Sequence, residues 1–371
     1  MSFDGLNDKD LPLKLRMMNL LWNLGWLVRP NVKLYQYREG RRTNVQFTDI
    51  DVLAIKILPL QNPITAICSA KSGHESDSSQ IFWLAGVKSY FGASFAYYLR
   101  SKASLLKAKP LCEKLDVIAL NGEQLSIIEK RFLITPRTSQ FFNFETYKQI
   151  NQYFLELKGK RRSLYNYITE RYWIDRSNNQ LLRTITAIRD AKMLDLSSSC
   201  RIYMKYYLTS LLALPLFQLA HLLIRIPTNM IRTEFDTALM GGELAQLEKE
   251  KILGACKSFI RELIKEAKLP SEVIGNGASS LDQLFKLDYS ADLLDLLIRI
   301  VDQYNVSIYL PRMIDVLSYQ IAKKPVSIPN IQYATVPDLP KSQWEYAAKL
   351  TKDLLIFVQR MGGLEKSEMN I

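Results

Sequence analysis

Polar residues alternate with apolar ones along two neighbouring segments of the chain. The segment FTDIDVLAIKI (47–57) carries Asp49 and Asp51, and the segment ITAICSAKSG (64–73) carries Ser69 and Lys71. If both segments are strands, their two-residue period places Asp49 and Asp51 on one face, and Ser69 and Lys71 on one face. Carboxylates among apolar residues are costly to bury unless they meet a cation or a metal ion. The spacing therefore predicts a site where carboxylates, a hydroxyl and an amine converge.

A hard divalent cation suits these groups. Mg²⁺ prefers oxygen ligands and keeps waters that can act as nucleophiles. We expect Asp51 and Asp49 to bind Mg²⁺ or Mn²⁺, and Lys71 to orient that water or neutralise charge on a phosphate. Ser69 is the fourth candidate. The alternative is that Asp51 pairs with Lys71 in an ordinary α/β domain without catalysis.

The segments around these residues predict an α/β domain. Helical spacing of apolar residues opens the chain, three strand candidates follow, and a second helix precedes a compact apolar run. Asn121 and Gln124 have the spacing of a capping box at the start of a further helix. The predicted order is α-β-β-β-α-β-α, ending near residue 135, with a helix at 11–28, strands at 32–37, 45–57 and 64–71, a helix at 80–100 and a strand at 115–120.

This arrangement resembles the PD-(D/E)XK, or restriction-endonuclease-like, nucleases, and in particular their Mrr-like branch. The matching features are the opening helix, the strand TDIDVLA with Asp51, the strand ending in Lys71 and the helix IFWLAGVKSYFGA, within residues 10–135. The resemblance implies a restriction-endonuclease-like α-β-β-β-α-β domain. It also implies that Asp51 binds a divalent metal, that the residue two before the lysine binds it too, and that Lys71 assists hydrolysis.

Ser69 departs from the family pattern, which has an acidic residue two positions before the lysine. A serine is a poor metal ligand at neutral pH, so Asp49, Glu39 or Glu75 would have to replace the missing carboxylate. His74, three residues past Lys71, is a candidate proton shuttle.

Two functions follow from the resemblance. One is a metal-dependent DNA endonuclease that acts, by analogy, in defence against foreign DNA; the other is a nuclease fold that has lost catalysis and serves as a DNA-binding or scaffold protein.

The positive charge lies in the first 210 residues. Lys and Arg outnumber Asp and Glu by 15 to 8 over residues 1–110 and by 16 to 10 over 111–210, but number 18 against 19 over 211–371. Such asymmetry favours a polyanionic partner, and we expect DNA. Two clusters are the predicted nucleic-acid contacts, and each is equally consistent with a plain exposed loop. The first is Arg38, Arg41 and Arg42. The second is Lys158, Lys160, Arg161 and Arg162 with the following aromatic residues Tyr165, Tyr167, Tyr172 and Trp173.

Helical periodicity dominates after residue 135. We expect an α-helical domain over 136–371, with a possible sub-boundary near 269–280, and its near-neutral charge favours a protein partner or a homo-oligomer.

The uncharged run 206–224 meets the minimum length for a membrane span. Pro215, Gln218 and His221 inside that run favour a buried core helix and no membrane. Four dispersed cysteines and a polar start without a signal pattern predict the cytoplasm.

Overall fold

The computed structural model describes residues 9–38, 41–73, 76–101, 105–134, 141–174, 180–191, 195–239, 243–267, 287–324, 328–333 and 336–369. The N-terminal part is a five-stranded mixed sheet with helices, and the rest of the described chain is mostly helical. The predicted α/β class followed by a helical region is therefore confirmed. Both predicted domain boundaries, near residue 135 and at 269–280, fall at stretches outside the described residues.

The sheet has the strand order β1-β2-β3-β4-β5. Strands β1, β2 and β3 are antiparallel, and β3, β4 and β5 are parallel, so the α-β-β-β-α-β order holds through β4. The elements are α1 (Leu11–Asn23), β1 (Leu27–Arg38), β2 (Arg41–Lys56), β3 (Ile64–Lys71), α2 (Asp77–Phe91), β4 (Phe95–Arg100), α3 (Lys109–Leu115), β5 (Ile118–Asn121) and α4 (Gly122–Arg131).

The prediction of one helix over 80–100 is wrong. Helix α2 ends at Phe91, since Gly92 adopts a left-handed conformation with φ of 68° that ends the helix, and Phe95–Arg100 forms β4. The run 115–120 is likewise divided between the end of α3 and β5. The capping box is confirmed: Asn121 accepts from the Gln124 amide at 2.8 Å, and the Gln124 side chain accepts from the Asn121 amide at 2.9 Å.

Twelve further elements lie among the described residues after residue 141. They are α5 (Phe144–Lys160), α6 (Arg162–Asn166), a π-helical turn (Tyr167–Arg171), α7 (Tyr172–Ile174), α8 (Gln180–Ala191), α9 (Ser198–Leu223), α10 (Ile231–Leu239), α11 (Glu243–Glu266), α12 (Ser290–Asp302), α13 (Tyr304–Ser307), α14 (Leu310–Lys323) and α15 (Trp344–Arg360). Short 3-10 turns lie at Thr228–Met230, Ile331–Tyr333, Lys341–Gln343 and Lys366–Glu368.

Helix α9 is the central helix of this part. It packs against α8, α12 and α14. In the described part of the chain it is the one helix long and apolar enough to cross a membrane, but 89% of its most apolar stretch is buried inside the protein. Its surroundings agree with the interpretation of residues 206–224 as a core helix, because neighbouring helices cover it on most sides.

The sheet and the helices share one apolar core. Trp22 of α1 stacks on Phe141 with ring centroids 4.1 Å apart. The Asn19 side chain donates to the Phe142 carbonyl at 2.7 Å and accepts from its amide at 2.9 Å. These contacts fix α1 against the segment that leads into α5.

Two buried ion pairs connect residues far apart in the chain. Arg29 of β1 forms a two-pronged pair with Asp315 of α14 and donates to Ser210 of α9 at 2.9 Å. Burial alone would lower the pKa of Arg29, but Asp315 holds it above its ordinary value. The second pair joins Lys205 of α9 to Glu368, with Nζ 2.7 Å from Oε2. Both pairs are hydrogen-bonded at each end, as buried charges require.

Candidate active site

The sheet brings Asp51 next to the end of β3. Strand β2 pairs with β3 in a register that sets Val52 opposite Cys68. The Ala70 amide donates a hydrogen bond to Oδ2 of Asp51 at 2.9 Å. Asp51 therefore lies beside Ser69 and Lys71, the juxtaposition that the strand alternation predicted.

Lys14 of α1 occupies the other oxygen of Asp51. Its Nζ lies 2.7 Å from Oδ1, and the two side chains are only 8% and 9% exposed. Sequence reasoning missed this residue, although a signal was present. Lys14 is spaced three residues after Leu11 and four before Met18 on the buried stripe of α1, where a lysine needs an anionic partner.

Burial governs the acidity of Asp51. Desolvation raises the pKa of this carboxyl above its ordinary value, and this effect outweighs the opposing effects of Lys14, Lys71 and the Ala70 amide. A metal ion binds the deprotonated carboxylate, so a raised pKa makes protons better competitors. Lys14 already supplies a positive charge to this carboxylate, so a metal ion would have to compete with it for Asp51.

Ser69 and Lys71 differ in exposure. Ser69 is 1% exposed, and its hydroxyl has no hydrogen-bond partner. An unsatisfied buried hydroxyl costs about 1–3 kcal/mol, but it carries no charge with which to attract a cation. Lys71 is half-buried, and its charge acts on Asp51. Two ammonium groups, those of Lys14 and Lys71, therefore act on the Asp51 carboxylate.

Among the described residues, the side chains around Asp51 do not form a recognisable site for Mg²⁺ or Mn²⁺. Within the described ranges no three side chains of the His, Cys, Asp and Glu types are grouped as a metal site. Asp49, the second predicted ligand, is half-buried on β2 opposite Lys33 of β1. Glu39, His74 and Glu75 lie outside the described residues. A metal ion at Asp51 would have to share the carboxylate with Lys14 and the Ala70 amide.

A further carboxylate near the site has partners of its own. Asp77, at the start of α2, accepts a hydrogen bond from the Tyr98 hydroxyl at 2.8 Å. Its Oδ1 also lies 2.8 Å from Nε of Arg100. These two atoms form an ion pair, although their geometry is not that of a hydrogen bond. Arg100, opposite Lys71 on the neighbouring strand, also donates to the Gly73 carbonyl. Arg100 thus holds the turn that follows Lys71, a role hidden while this stretch was predicted to be helical.

The first predicted basic cluster lies on the β1–β2 hairpin. The backbone pairs Arg38 with Arg41 and Tyr37 with Arg42. The side chains of Arg38, Arg41 and Arg42 lie outside the part of the chain whose side chains the structure describes. Their contact with nucleic acid stays a prediction.

The second basic cluster lies where α5 meets α6. Lys160, Arg161 and Arg162 are exposed, and Lys158 is half-buried. Lys160 is 3.9 Å from Glu156 and 3.9 Å from Asp195, both at the limit of an ion pair. These cations are accessible to a polyanion.

The aromatic residues after this cluster cannot stack on bases as predicted. Tyr165 and Tyr172 are each 2% exposed and Trp173 is 6% exposed, and Tyr167 is half-buried with its hydroxyl 2.6 Å from Thr184. Their polar atoms are also engaged, since Tyr165 accepts from Lys33 at 3.0 Å and Trp173 donates to the Ile168 carbonyl at 2.8 Å. The interpretation was wrong because tertiary packing buries the rings of Tyr165, Tyr172 and Trp173 in the core.

The raised pKa predicts how stability depends on pH. The folded protein binds the Asp51 proton more tightly than the unfolded chain, so the contribution of Asp51 falls as the pH rises from 3.8 through the folded-state pKa. We therefore expect the stability of Asp51→Asn, relative to that of the parent protein, to rise with pH across this window and then to level off, in addition to a loss from leaving Lys14 without its carboxylate. Urea denaturation of both proteins at a series of pH values measures the difference. A difference that moves the opposite way would mean that Lys14 outweighs burial.

Comparison with known proteins adds no relative from which a role could be transferred. No family model, curated protein or solved structure matches the chain.

Proposed function

We propose that this chain is a DNA-binding protein with a restriction-endonuclease-like domain that has lost metal-dependent cleavage. One observation carries the proposal: both oxygens of Asp51 are held by groups of the protein itself, Oδ1 by Lys14 and Oδ2 by the Ala70 amide. In the nucleases that the sequence resembles, the acidic residue at this position binds the metal. Here an ammonium group supplies the positive charge.

The neighbouring position supports the same function. Ser69 stands where the resemblance implies a second acidic ligand, and its hydroxyl is buried without a partner. A metal ion that activates water needs several oxygen ligands and keeps several waters. Among the described residues at these two positions, one carboxylate that already accepts two hydrogen bonds and one uncharged hydroxyl offer such an ion few ligands.

The charge distribution supports DNA as the partner. The excess of +7 over residues 1–110 and +6 over 111–210 includes the exposed cations Lys160, Arg161 and Arg162. Lysine and arginine side chains bind phosphates by displacing condensed counterions, an interaction that needs neither a metal nor a fixed sequence.

The helical part, with 18 basic and 19 acidic residues over 211–371, suits a protein partner or a second copy of this chain instead. A role in defence and a cytoplasmic location stay predictions from the resemblance and the composition.

Binding of DNA is expected to require no metal and to depend on salt. The dissociation constant for a fluorescent duplex, measured by anisotropy, should be no higher in EDTA than in Mg²⁺, since phosphate contacts by Lys and Arg use no divalent ion and Mg²⁺ competes for the same phosphates. The triple variant Lys160→Ala/Arg161→Ala/Arg162→Ala should bind more weakly and reduce the salt slope by ~0.9 for each lost phosphate contact. The matched control is Lys341→Ala/Lys349→Ala/Lys352→Ala, three exposed lysines of the near-neutral part, which should leave the slope unchanged.

Plasmid cleavage decides between the two functions. The proposal expects no Mg²⁺- or Mn²⁺-dependent product from the parent protein. A metal-dependent product that Asp51→Ala and Lys71→Ala both abolish would replace the proposal with the endonuclease. Failure to bind DNA at low salt would remove nucleic acid as the partner.

A further inference from the structure

Two aromatic rings on helix α2 face solvent. Phe82 is 59% exposed and Tyr90 is 53% exposed. Eight residues separate them in the helix, so they lie about 12 Å apart along its axis. Single exposed apolar residues are ordinary on a protein surface, but a group of exposed rings marks a surface that contacts a partner. A third ring beside this pair makes such a group.

The third ring belongs to Phe47 of β2. It is 57% exposed, and its centroid lies 5.3 Å from that of the Tyr90 ring. The register between β1 and β2 skips Phe47, which is therefore the extra residue of a β-bulge. Bulges redirect a side chain and are common beside functional sites. Phe47 also limits the motion of the Tyr90 ring, so less side-chain entropy is lost when a molecule binds to that ring.

Gly86 lies midway between Phe82 and Tyr90 on α2. Glycine inside a helix is less stable than alanine, so its presence needs a reason. Its backbone is helical, and apart from the adjoining helix backbone no described atom lies within 4 Å of the place where a Cβ would be. Neither the backbone nor the packing of the described residues therefore requires a glycine. Close approach of a binding partner to the helix backbone is a use of glycine that fits both observations.

The exposed residues of α2 carry no charge. Every side chain of this helix is described, and the exposed ones are Ser78, Ser79, Phe82, Gly86, Ser89 and Tyr90. The acidic residue of α2, Asp77, is half-buried and paired with Arg100, so no exposed carboxylate of this helix repels a phosphate.

Rings and hydroxyls together suit a nucleic-acid strand. Serine hydroxyls donate hydrogen bonds to phosphate oxygens in protein–DNA interfaces. Aromatic rings stack on unpaired bases of any type, since every base has a π-face. The centre of a protein–protein interface is instead a continuous apolar patch, whereas hydroxyls and a glycine interrupt the rings on α2.

We propose that Phe47, Phe82 and Tyr90 form a stacking site for unpaired nucleobases, so that the DNA bound by this protein is single-stranded where it meets α2. Bases in a duplex already stack on one another and present only their edges, so they offer these rings no free face. The inference rests on the proposed DNA binding and specifies the form of DNA that the protein selects.

Two fluorescent strands of equal length separate the contribution of the bases from that of the phosphates. One is oligo(dT), and the other has an abasic site at every position but the same number of phosphates. Anisotropy with the full chain should show oligo(dT) binding at least about fivefold more tightly than the abasic strand at the same salt concentration, since one stacked base contributes that factor or more.

Three variants locate the site. Phe82→Ser and Tyr90→Ser each remove one ring, and each should weaken oligo(dT) binding by about fivefold or more without changing the affinity for the abasic strand. Gly86→Gln places an uncharged side chain between the rings. It should weaken oligo(dT) binding while it raises the melting temperature, because glutamine is a better helix former than glycine. The matched control is Tyr346→Ser on α15, which removes a ring that is 56% exposed and should leave both affinities unchanged.

The outcomes keep the stacking site distinct from the proposed function. If the parent protein binds duplex DNA but does not distinguish oligo(dT) from the abasic strand, DNA binding stands and the stacking site is wrong. If it binds none of the three, both proposals fail. Phe82→Ser or Tyr90→Ser that changes the sedimentation of the protein but not its affinity for oligo(dT) would make these rings an interface between two copies of the chain, which also overturns the stacking site.

Discussion

Replacing Lys14 by methionine is expected to lower the free energy of unfolding by about 3–5 kcal/mol, the cost of leaving one member of a buried ion pair without its partner. Methionine keeps the apolar stem of the lysine but removes the charge that faces Asp51. Out of a total stability of about 5–15 kcal/mol, the loss would be large. Urea denaturation near neutral pH, followed by circular dichroism, measures it.

Two companion variants give this experiment its controls. The double variant Lys14→Met/Asp51→Asn removes both charges and should recover most of the loss, since no ion is left buried. Lys109→Met removes an exposed lysine that is 71% accessible and 3.9 Å from Glu113, and it should cost less than about 1 kcal/mol. If Lys14→Met cost no more than Lys109→Met, Lys14 would not be the internal cation of Asp51, and the proposed loss of metal binding would lose its main support.

Asp315→Ala is expected to have an effect of similar size, about 3–5 kcal/mol, because it leaves Arg29 buried without its carboxylate. Arg29 cannot lose its proton at any accessible pH, so it cannot relieve this loss by becoming neutral. Thermal unfolding and urea denaturation both measure it.

The control for Asp315 is an ion pair of the same types at the surface. Asp292 accepts from Arg360 at 2.7 Å, but the two side chains are 40% and 62% exposed. Asp292→Ala should change stability by less than about 1 kcal/mol, since water solvates the remaining arginine. Equal costs for Asp292→Ala and Asp315→Ala would contradict the assignment of the Arg29 pair to the shared core.

Part of the site was predictable because strand geometry is local. Alternation along 47–57 and 64–73 was enough to predict that Asp51 would lie near Ser69 and Lys71. Lys14 was not predicted, because its pairing with Asp51 depends on how α1 packs across the sheet. Arg100 was missed for the same kind of reason, since its partners are Asp77 of α2 and Gly73 in the turn after β3, both outside its own strand.

The fold was predictable where apolar periodicity and turn residues agreed. They disagreed over 80–100, where apolar residues at helical spacing continue past Gly92 into Phe95, and the glycine was the better signal. The aromatic residues after Lys158 show a different limit. A run of tyrosines beside cations has the same composition whether the rings face solvent or the core, and only tertiary packing buries Tyr165 and Tyr172.

The Arg29–Asp315 pair also bears on how the protein folds during synthesis. Its members are 286 residues apart, so at about 5–20 residues per second a ribosome needs roughly 14–57 s to make the second after the first. During that interval the nascent sheet contains an arginine whose carboxylate has not yet been translated. The N-terminal region is therefore expected to stay incompletely packed, and dependent on chaperones, until α14 has left the exit tunnel.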